Sequence, residues 1–348
     1  MIGLDFSSTG EWLRGTGPDS DVVISTRVRL ARNIAGFNFA NRAERSEHQQ
    51  VVALAREHVM SCCERQGLLW VDVASLQPLD ATLLVERHLI SKHLAKGDRP
   101  RAAVVHSDES LSIMINEEDH FRMQVIRSGR QTVDAFTEVN RIDDLLGAKL
   151  PFAFHKRFGY LTACPTNVGT GIRFSIMLHL PALMMTKEIE RVRRAAHDMQ
   201  LAIRGFYGEG SDALGDIFQI SNQTTLGKTE AQLLKEFDEG VMPKVVEYER
   251  RARQVLVERR ASLLDDRCHR ALGILQNARL LKLDEALRLL SHLRLGVQLG
   301  RITGVDPQTI DRLLVLVQPA HLQKTLGESL HQAERTEARA TLIRQHLS

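Results

Sequence analysis

The stretch Ile115 to Arg122 reads INEEDHFR, three adjacent carboxylates closely followed by an arginine. A carboxylate beside a protonated nitrogen can orient it, offset its charge and accept its proton, which is the work of a general base. If the stretch is extended, Asn116, Glu118, His120 and Arg122 share one face, and Glu117 and Asp119 the other. Glu118 is then the acid on the arginine's side. Taken alone, an acidic triplet reads as a solvated turn, because acids are mostly exposed and an unpartnered buried one is costly. A second set of residues calls for anion chemistry. Arg27 and Arg29 alternate in STRVR, so an extended chain points both the same way. Arg122 follows the acids, Arg173 follows NVGTGI, and Arg204 precedes GFYGEG. Guanidinium is permanently charged and forks onto phosphate oxygens in pairs. Each arginine alone reads as a surface residue, and spacing leaves their convergence open.

Familiar nucleotide signatures do not account for these residues. There is no G-x-x-x-x-G-K-[ST], no G-x-G-x-x-G within a βαβ unit, and neither H-R-D nor D-F-G. Cys62, Cys63, Cys164 and Cys268 form no C-x-x-C pair, which leaves zinc-knuckle and thioredoxin-like readings unsupported. Cys62 and Cys63 fall in a helical segment and read as packing residues. A net charge of +3 and 5% aromatics make no case for nucleic acid or a base-stacking platform. The N-terminus lacks a signal-peptide pattern and no apolar run is long enough for a membrane helix, so a cytoplasmic protein is expected.

The elements that must hold these residues mix strand and helix signals as far as about residue 230. Val22 to Ile24 starts a strand, and 42–60 has helical periodicity. LLWVDV reads as a strand and 81–94 as a helix. RAAVVHS, LSIMIN and FRMQVIRSG read as successive strands, antiparallel because their connections are short. Helix is expected over 133–150, a strand entering a glycine loop over 158–171, a helix over 186–203, and a strand at IFQISNQTT. Beyond Gly227 only helical patterns remain: a long helix broken near Gly240 to Pro243, then 261–277, 283–297, 306–317 and 327–346. The expectation is an α+β domain over 1–230 and an all-α domain over 231–348.

The ordered segments STRVRLARN, INEEDHFRMQ, CPTNVGTGIR and RGFYGEGS, followed by ISNQTTLG, resemble the catalytic domain of the phosphagen (guanidino) kinases. The resemblance covers about residues 20 to 230. It implies a largely antiparallel sheet flanked by helices, and transfer of the γ-phosphoryl of ATP, with Mg2+, to a guanidinium nitrogen. Ser25 lies near the first residue, where the metabolite kinases carry a helical domain ahead of this motif. That order, the helical C-terminal part and the phrase YGEGSDALGDIFQISNQTTLGK resemble the bacterial protein-arginine kinases. Two other readings stay open on sequence: a kinase for free arginine or another small guanidine, and a non-catalytic adaptor.

By the same resemblance Arg27, Arg29, Arg122, Arg173 and Arg204 clamp the ATP phosphates. Ser25, Thr26 and Val28 belong to the first motif, and His88 matches a nucleotide-contacting histidine. Phe174, Ser175, Ile176 and Met177, with Gly205, Phe206, Tyr207 and Gly208, complete the nucleotide pocket. Glu118 matches the catalytic base, Glu209 a second acid aligning the guanidinium, and Cys164 an assisting cysteine. Magnesium would be held by phosphates and water, so no protein metal-ligand set is expected.

An R-D-x-x-R-A motif in the C-terminal domain of that branch recognises phosphoarginine. Here the string is Arg335, Thr336, Glu337, Ala338, Arg339, Ala340, with threonine in place of the aspartate. Arg335 and Arg339 share a helix face and could grip one phosphate. The implied partners are protein substrates with exposed arginine, a zinc-containing McsA-type activator, a Clp ATPase and a second copy in a homodimer, in protein quality control under stress. Neither a membrane nor direct nucleic-acid binding is expected.

Overall fold

The computed structural model describes residue 6 and residues 9–62, 66–205 and 214–347. In the first part the chain forms β1 (Val23–Arg32), α1 (Arg45–Cys62), β2 (Leu68–Asp72), α2 (Pro78–Glu86) and α3 (Lys92–Lys96). Next come β3 (Ala102–His106), β4 (Leu111–Ile115), β5 (Phe121–Ser128), α4 (Thr132–Gly147), β6 (Phe154–His155) and β7 (Gly159–Tyr160). These lead to β8 (Ile172–His179), α5 (Pro181–Met185), α6 (Ile189–Asp198), β9 (Leu201–Gly205) and β10 (Ile217–Asn222). The helical part holds α7 (Glu230–Lys235), α8 (Met242–Arg259), α9 (Ala261–Asn277), α10 (Leu283–Gln298), α11 (Pro307–Leu316), α12 (Pro319–Leu326) and α13 (Gln332–Leu347).

Eight strands make one antiparallel sheet in the order β2-β3-β4-β5-β1-β8-β10-β9, with β6 and β7 a separate hairpin. Alternation gives the sheet two unlike faces. On the back, Val28, Leu30, Met123, Val125, Phe174, Ile176 and Ile220 are buried in the main core, against which α4 packs. On the front, Val71, Ala103, Val105 and Met114 meet Leu84, Leu89, Ile90 and Leu94 in a second, smaller core. The roof of that core is α2, α3 and the turn between them. Moving across the front from this core towards β1, the residues change from apolar to cationic: Val71, Ala103, Met114, Arg122 and Ala31 lie in one ladder row. An arginine thus marks the edge of an apolar platform.

The helical part is joined to the sheet by buried polar links. In α8 the buried Glu249 accepts from the N–H groups of Ala182 (3.1 Å) and Leu183 (3.0 Å), at the start of α5. Arg253 donates to it at 2.8 Å, so the carboxylate caps one helix and pairs within its own.

Several expected elements differ. The helix expected over 186–203 stops at Asp198; Gln200 takes φ 56°, and the chain leaves as β9. The segment 81–94 is two helices, parted at His88 with φ 60°. Only Gly159–Tyr160 of the expected strand over 158–171 is extended, and a short 3-10 turn follows at Pro165–Asn167. Near Gly240 the helix widens into a π turn, Glu236–Val241, rather than breaking. The last helix starts at Gln332, and Pro319 at a helix N-terminus begins a helix, α12, that the pattern concealed.

Candidate active site

The ladder brings the arginines onto the front face. Opposed residues in antiparallel strands share a side, so Arg29 and its partner Arg173 form one pair, flanked by Gln124. The next row holds Ile126, Arg27, Ser175 and Ser221. Beyond it lie Ser128, Ser25, Met177, Gln219 and Arg204. Arg122 lies opposite Ala31, two residues beyond Arg29. All five expected clamp arginines therefore project from the same face of four strands.

Crowding these cations has a measurable consequence. Burial, then the charges of Arg122, Arg173 and Arg204, push Arg27 down to about 10, still protonated at neutral pH. Arg29 is also driven well below its ordinary value by burial and by Arg27, Arg122 and Arg173. Among the described residues, the buried Arg29 Nε, Ser175 Oγ and Ser221 Oγ have no hydrogen-bond partner. Buried donors of this kind are costly unless matched. A polyanion laid across the face would satisfy them and relieve the repulsion, so an ATP triphosphate fits here.

Beside Arg27 a cavity is lined by Trp12, Ser25, Arg27, His88, Ile126, Ser175, Met177 and Gln219. His88 reaches it through its left-handed backbone. Its carbonyl accepts from Gln124 Nε2 at 2.7 Å, and its ring stands edge-on to Trp12 with centroids 4.8 Å apart. Burial, followed by Arg27, lowers its pKa to about 3, so the ring that meets a ligand is neutral. Thr26, Val28, Phe174 and Ile176 lie on the back face instead. Val28, Phe174 and Ile176 are in the core, and Thr26 Oγ1 donates to the Gly129 carbonyl at 2.7 Å. Alternation dictates this: contiguous motif residues cannot all face one ligand. Gly205 ends β9 opposite Phe218. Phe206, Tyr207, Gly208 and Glu209 lie outside the described residues.

The acids do not lie in an extended strand. Residues 116–120 form the loop between β4 and β5, with Asn116 at φ 56° and its N–H donating to the His120 carbonyl at 3.0 Å. The expected alternation fails there, and Glu117 as well as Glu118 reaches Arg122. Glu117 is 2% exposed and binds Arg122 Nη1 at 2.8 Å. It also accepts from Ser91 Oγ at 2.6 Å and the Glu118 N–H at 2.7 Å. Burial raises its pKa, but Arg122 and these donors outweigh it and hold Glu117 at about 2. Arg122 is in turn raised, because Glu117 overcomes its burial. Glu118 stays 3.6 Å from Arg122, with its side chain 39% exposed. One acid is fixed to the arginine and the next reaches solvent.

Asp119 ties the hairpin to the cysteine segment. It is buried, accepts from Asn33 Nδ2 and from the Ala163 N–H, both at 2.7 Å, and burial raises its pKa. Cys164 follows immediately, half-buried, its sulfur 3.0 Å from Thr166 Oγ1. Glu118 and Cys164 are thus borne on segments joined by one carboxylate.

The C-terminal arginines do not form a matched pair. Arg339 is 3% exposed, and its guanidinium donates to the carbonyls of Val317 (2.8 Å) and Leu281 (2.9 Å). Arg335 is half-buried and Ala340 buried, while Thr336 Oγ1 donates to the Ala333 carbonyl at 2.6 Å. The expectation of two arginines gripping one phosphate is corrected: one of them holds the interior together. Sequence reasoning also missed Trp12, Gln124, Ile126 and Gln219. Gln219 could have been found from β10 alternation once its neighbour was known; nothing local marks Trp12.

The family described as ATP:guanido phosphotransferase, C-terminal catalytic domain, matches residues 50–252. The family described as protein-arginine kinase McsB C-terminal domain matches residues 261–348. A protein-arginine kinase of Brevibacillus brevis is 46% identical over 338 residues, covering 97% of this chain and 94% of that protein. One of Halalkalibacterium halodurans is 44% identical over 339 residues, covering 97% and 94%. Among solved structures, the duplicated taurocyamine kinase of Schistosoma mansoni with transition-state analogue components superposes with a TM-score of 0.63 at 25% identity, covering 72% of this chain and 36% of that one. Lombricine kinase gives 0.58 at 24% identity, covering 72% and 71%, a likeness of fold.

Proposed function

This chain belongs to the protein-arginine kinase branch of the ATP:guanido phosphotransferases, and from that premise we propose how its own residues carry the transfer. It is an ATP-dependent protein-arginine kinase. In our reading the triphosphate lies across Arg27, Arg29, Arg122, Arg173 and Arg204, with the nucleoside towards His88 and Trp12. Magnesium enters with ATP as part of the substrate. The substrate arginine approaches Glu118, whose carboxylate orients the guanidinium and takes its proton. A guanidinium nitrogen bonds to the γ-phosphorus as the bond to the bridging oxygen breaks, and ADP leaves. Such a transfer needs in-line placement and charge neutralisation rather than covalent participation by the enzyme. Glu209 aligns the same guanidinium, and Cys164 assists without becoming a nucleophile.

The observation that carries this reading is the cationic face bordered by a hairpin with one committed and one exposed acid. The Glu117–Arg122 pair keeps Glu118 from being absorbed into an ion pair of its own. We further propose that the phosphorylated proteins are marked for a Clp protease in protein quality control under stress. An McsA-type activator and a homodimer belong to the same proposal. Among the described residues no helix is long and apolar enough to cross a membrane.

Incubation with Mg2+ and ATP, offering free arginine in one arm and an arginine-rich unfolded protein in the other, tests the assignment. Acid-labile phosphoarginine on the protein alone is expected. Product on free arginine alone would make the chain a small-guanidine kinase, and none on either would make it an adaptor.

A further inference from the structure

Arginines elsewhere in this sheet are held by carboxylates. Arg32 pairs with Asp143 at 2.7 Å, Arg122 with Glu117 at 2.8 Å, and Arg127 with Glu138. Arg27 is the exception. Among the described residues its hydrogen-bond partner is the side-chain amide of Gln219, whose Oε1 accepts from Nη2 at 3.1 Å. Gln219 is 5% exposed and lines the same cavity as Arg27, His88 and Ser175. In the ladder it stands directly opposite Arg204 on one side and Met177 on the other. One neutral oxygen therefore serves a site between two of the five arginines.

We propose that Gln219 is a positioning residue for the nucleotide phosphates: it fixes the Arg27 guanidinium through a neutral acceptor and so leaves the positive charge of the face uncompensated. This rests on the reading of that face as the triphosphate cradle. Two demands conflict there. A guanidinium must be oriented to fork onto phosphate, and orientation needs an acceptor. A carboxylate would orient it more strongly, but it would also compete with the phosphate for the same charge in a dry site where that competition is strong. The amide meets the first demand without the second. At Arg122 the choice is the opposite, and there the carboxylates belong to the hairpin that handles a cationic substrate.

The test is a comparison of Gln219→Glu with Gln219→Leu, by calorimetric binding of MgATP and by steady-state kinetics on an arginine-rich protein. Glutamate has nearly the shape of glutamine, so a packing role ranks Gln219→Glu closest to the wild type and Gln219→Leu worst. The charge argument reverses that order. Gln219→Glu should raise the Kd and KM for ATP roughly tenfold or more, and Gln219→Leu only about threefold, with the larger loss in KM than in kcat. If Gln219→Glu binds ATP as tightly as the wild type, or more tightly than Gln219→Leu, the inference is overturned while the cradle stands. If the wild type itself does not bind MgATP, the cradle reading fails and the inference with it. Should Gln219→Glu not fold, Gln219→Asn is the second variant, being neutral but too short to reach Arg27. It should weaken ATP binding about threefold, and unchanged binding overturns the proposal.

Discussion

At the scale of single residues, Glu117 and Glu118 divide between them tasks that adjacent acids rarely combine. Glu117 is buried, bound to Arg122 and depressed to about 2, so it serves as a fixed negative charge. Glu118 is the acid left to meet a substrate. Replacing it as Glu118→Gln keeps the shape and removes the base. Phosphoarginine formation, followed by phosphorus NMR, should drop by at least about a hundredfold, while calorimetric MgATP binding stays near the wild type. Turnover close to normal in that variant would remove Glu118 from the mechanism. Glu117 gives a pH signature instead. Its folded pKa lies below the unfolded value, so its stabilisation is fully present above about pH 4.5 and is lost as pH falls towards 2. Glu117→Gln should therefore flatten the acid limb of the stability curve in that window, measured by urea unfolding at successive pH values. An unchanged limb would mean the ion pair contributes nothing.

At the scale of elements, much of the site could be read from the chain, and the misses have physical causes. The STRVR alternation was legible because a strand has a period of two, and β1 keeps Arg27 and Arg29 on one face. The same rule applied to INEEDHFR failed, because it presumes an extended backbone where Asn116 turns the chain. Thr26, Val28, Phe174 and Ile176 were included by contiguity, though alternation sends them to the core. Trp12 and Gln219 meet the pocket only through tertiary register, which no local pattern encodes. The motif on α13 misled for a related reason: spacing showed that Arg335 and Arg339 share a side of the helix, not that this side is partly internal. Arg339→Ala would leave the Val317 and Leu281 carbonyls without their donor. We expect a loss of roughly 3 kcal/mol in chemical unfolding, against about 0.5 kcal/mol or less for Arg335→Ala. Equal, small effects would show that Arg339 is available for a ligand after all.

At the scale of the whole molecule, the helical part is fastened to the catalytic part next to the nucleotide cavity. Glu86, the last residue of α2, accepts from the N–H groups of Ala320 (2.8 Å) and His321 (3.0 Å) at the start of α12. It also meets His321 Nδ1 at 2.8 Å, and the other ring nitrogen lies 3.4 Å from Arg87 Nη1. Arg87 in turn donates to Glu109 at 2.7 Å. The geometry suits a neutral imidazole, Nδ1–H donating to Glu86 and Nε2 accepting from Arg87. Burial lowers the His321 pKa against the pull of Glu86, in agreement with that tautomer. A histidine lowered in the folded state favours unfolding once it is protonated. The contribution of His321 is therefore complete above about pH 6.5 and declines as pH falls below it. His321→Gln cannot take up that proton, so the stability difference between variant and wild type should narrow on acidification. Glu86→Ala leaves two buried N–H groups and the imidazole unmatched, a loss of roughly 3 kcal/mol. Hydrogen exchange should locate that loss in the first turn of α12 before the sheet is affected. If the sheet opens at the same rate, α12 is part of one cooperative unit with the catalytic core, and the clamp joins nothing that could otherwise separate.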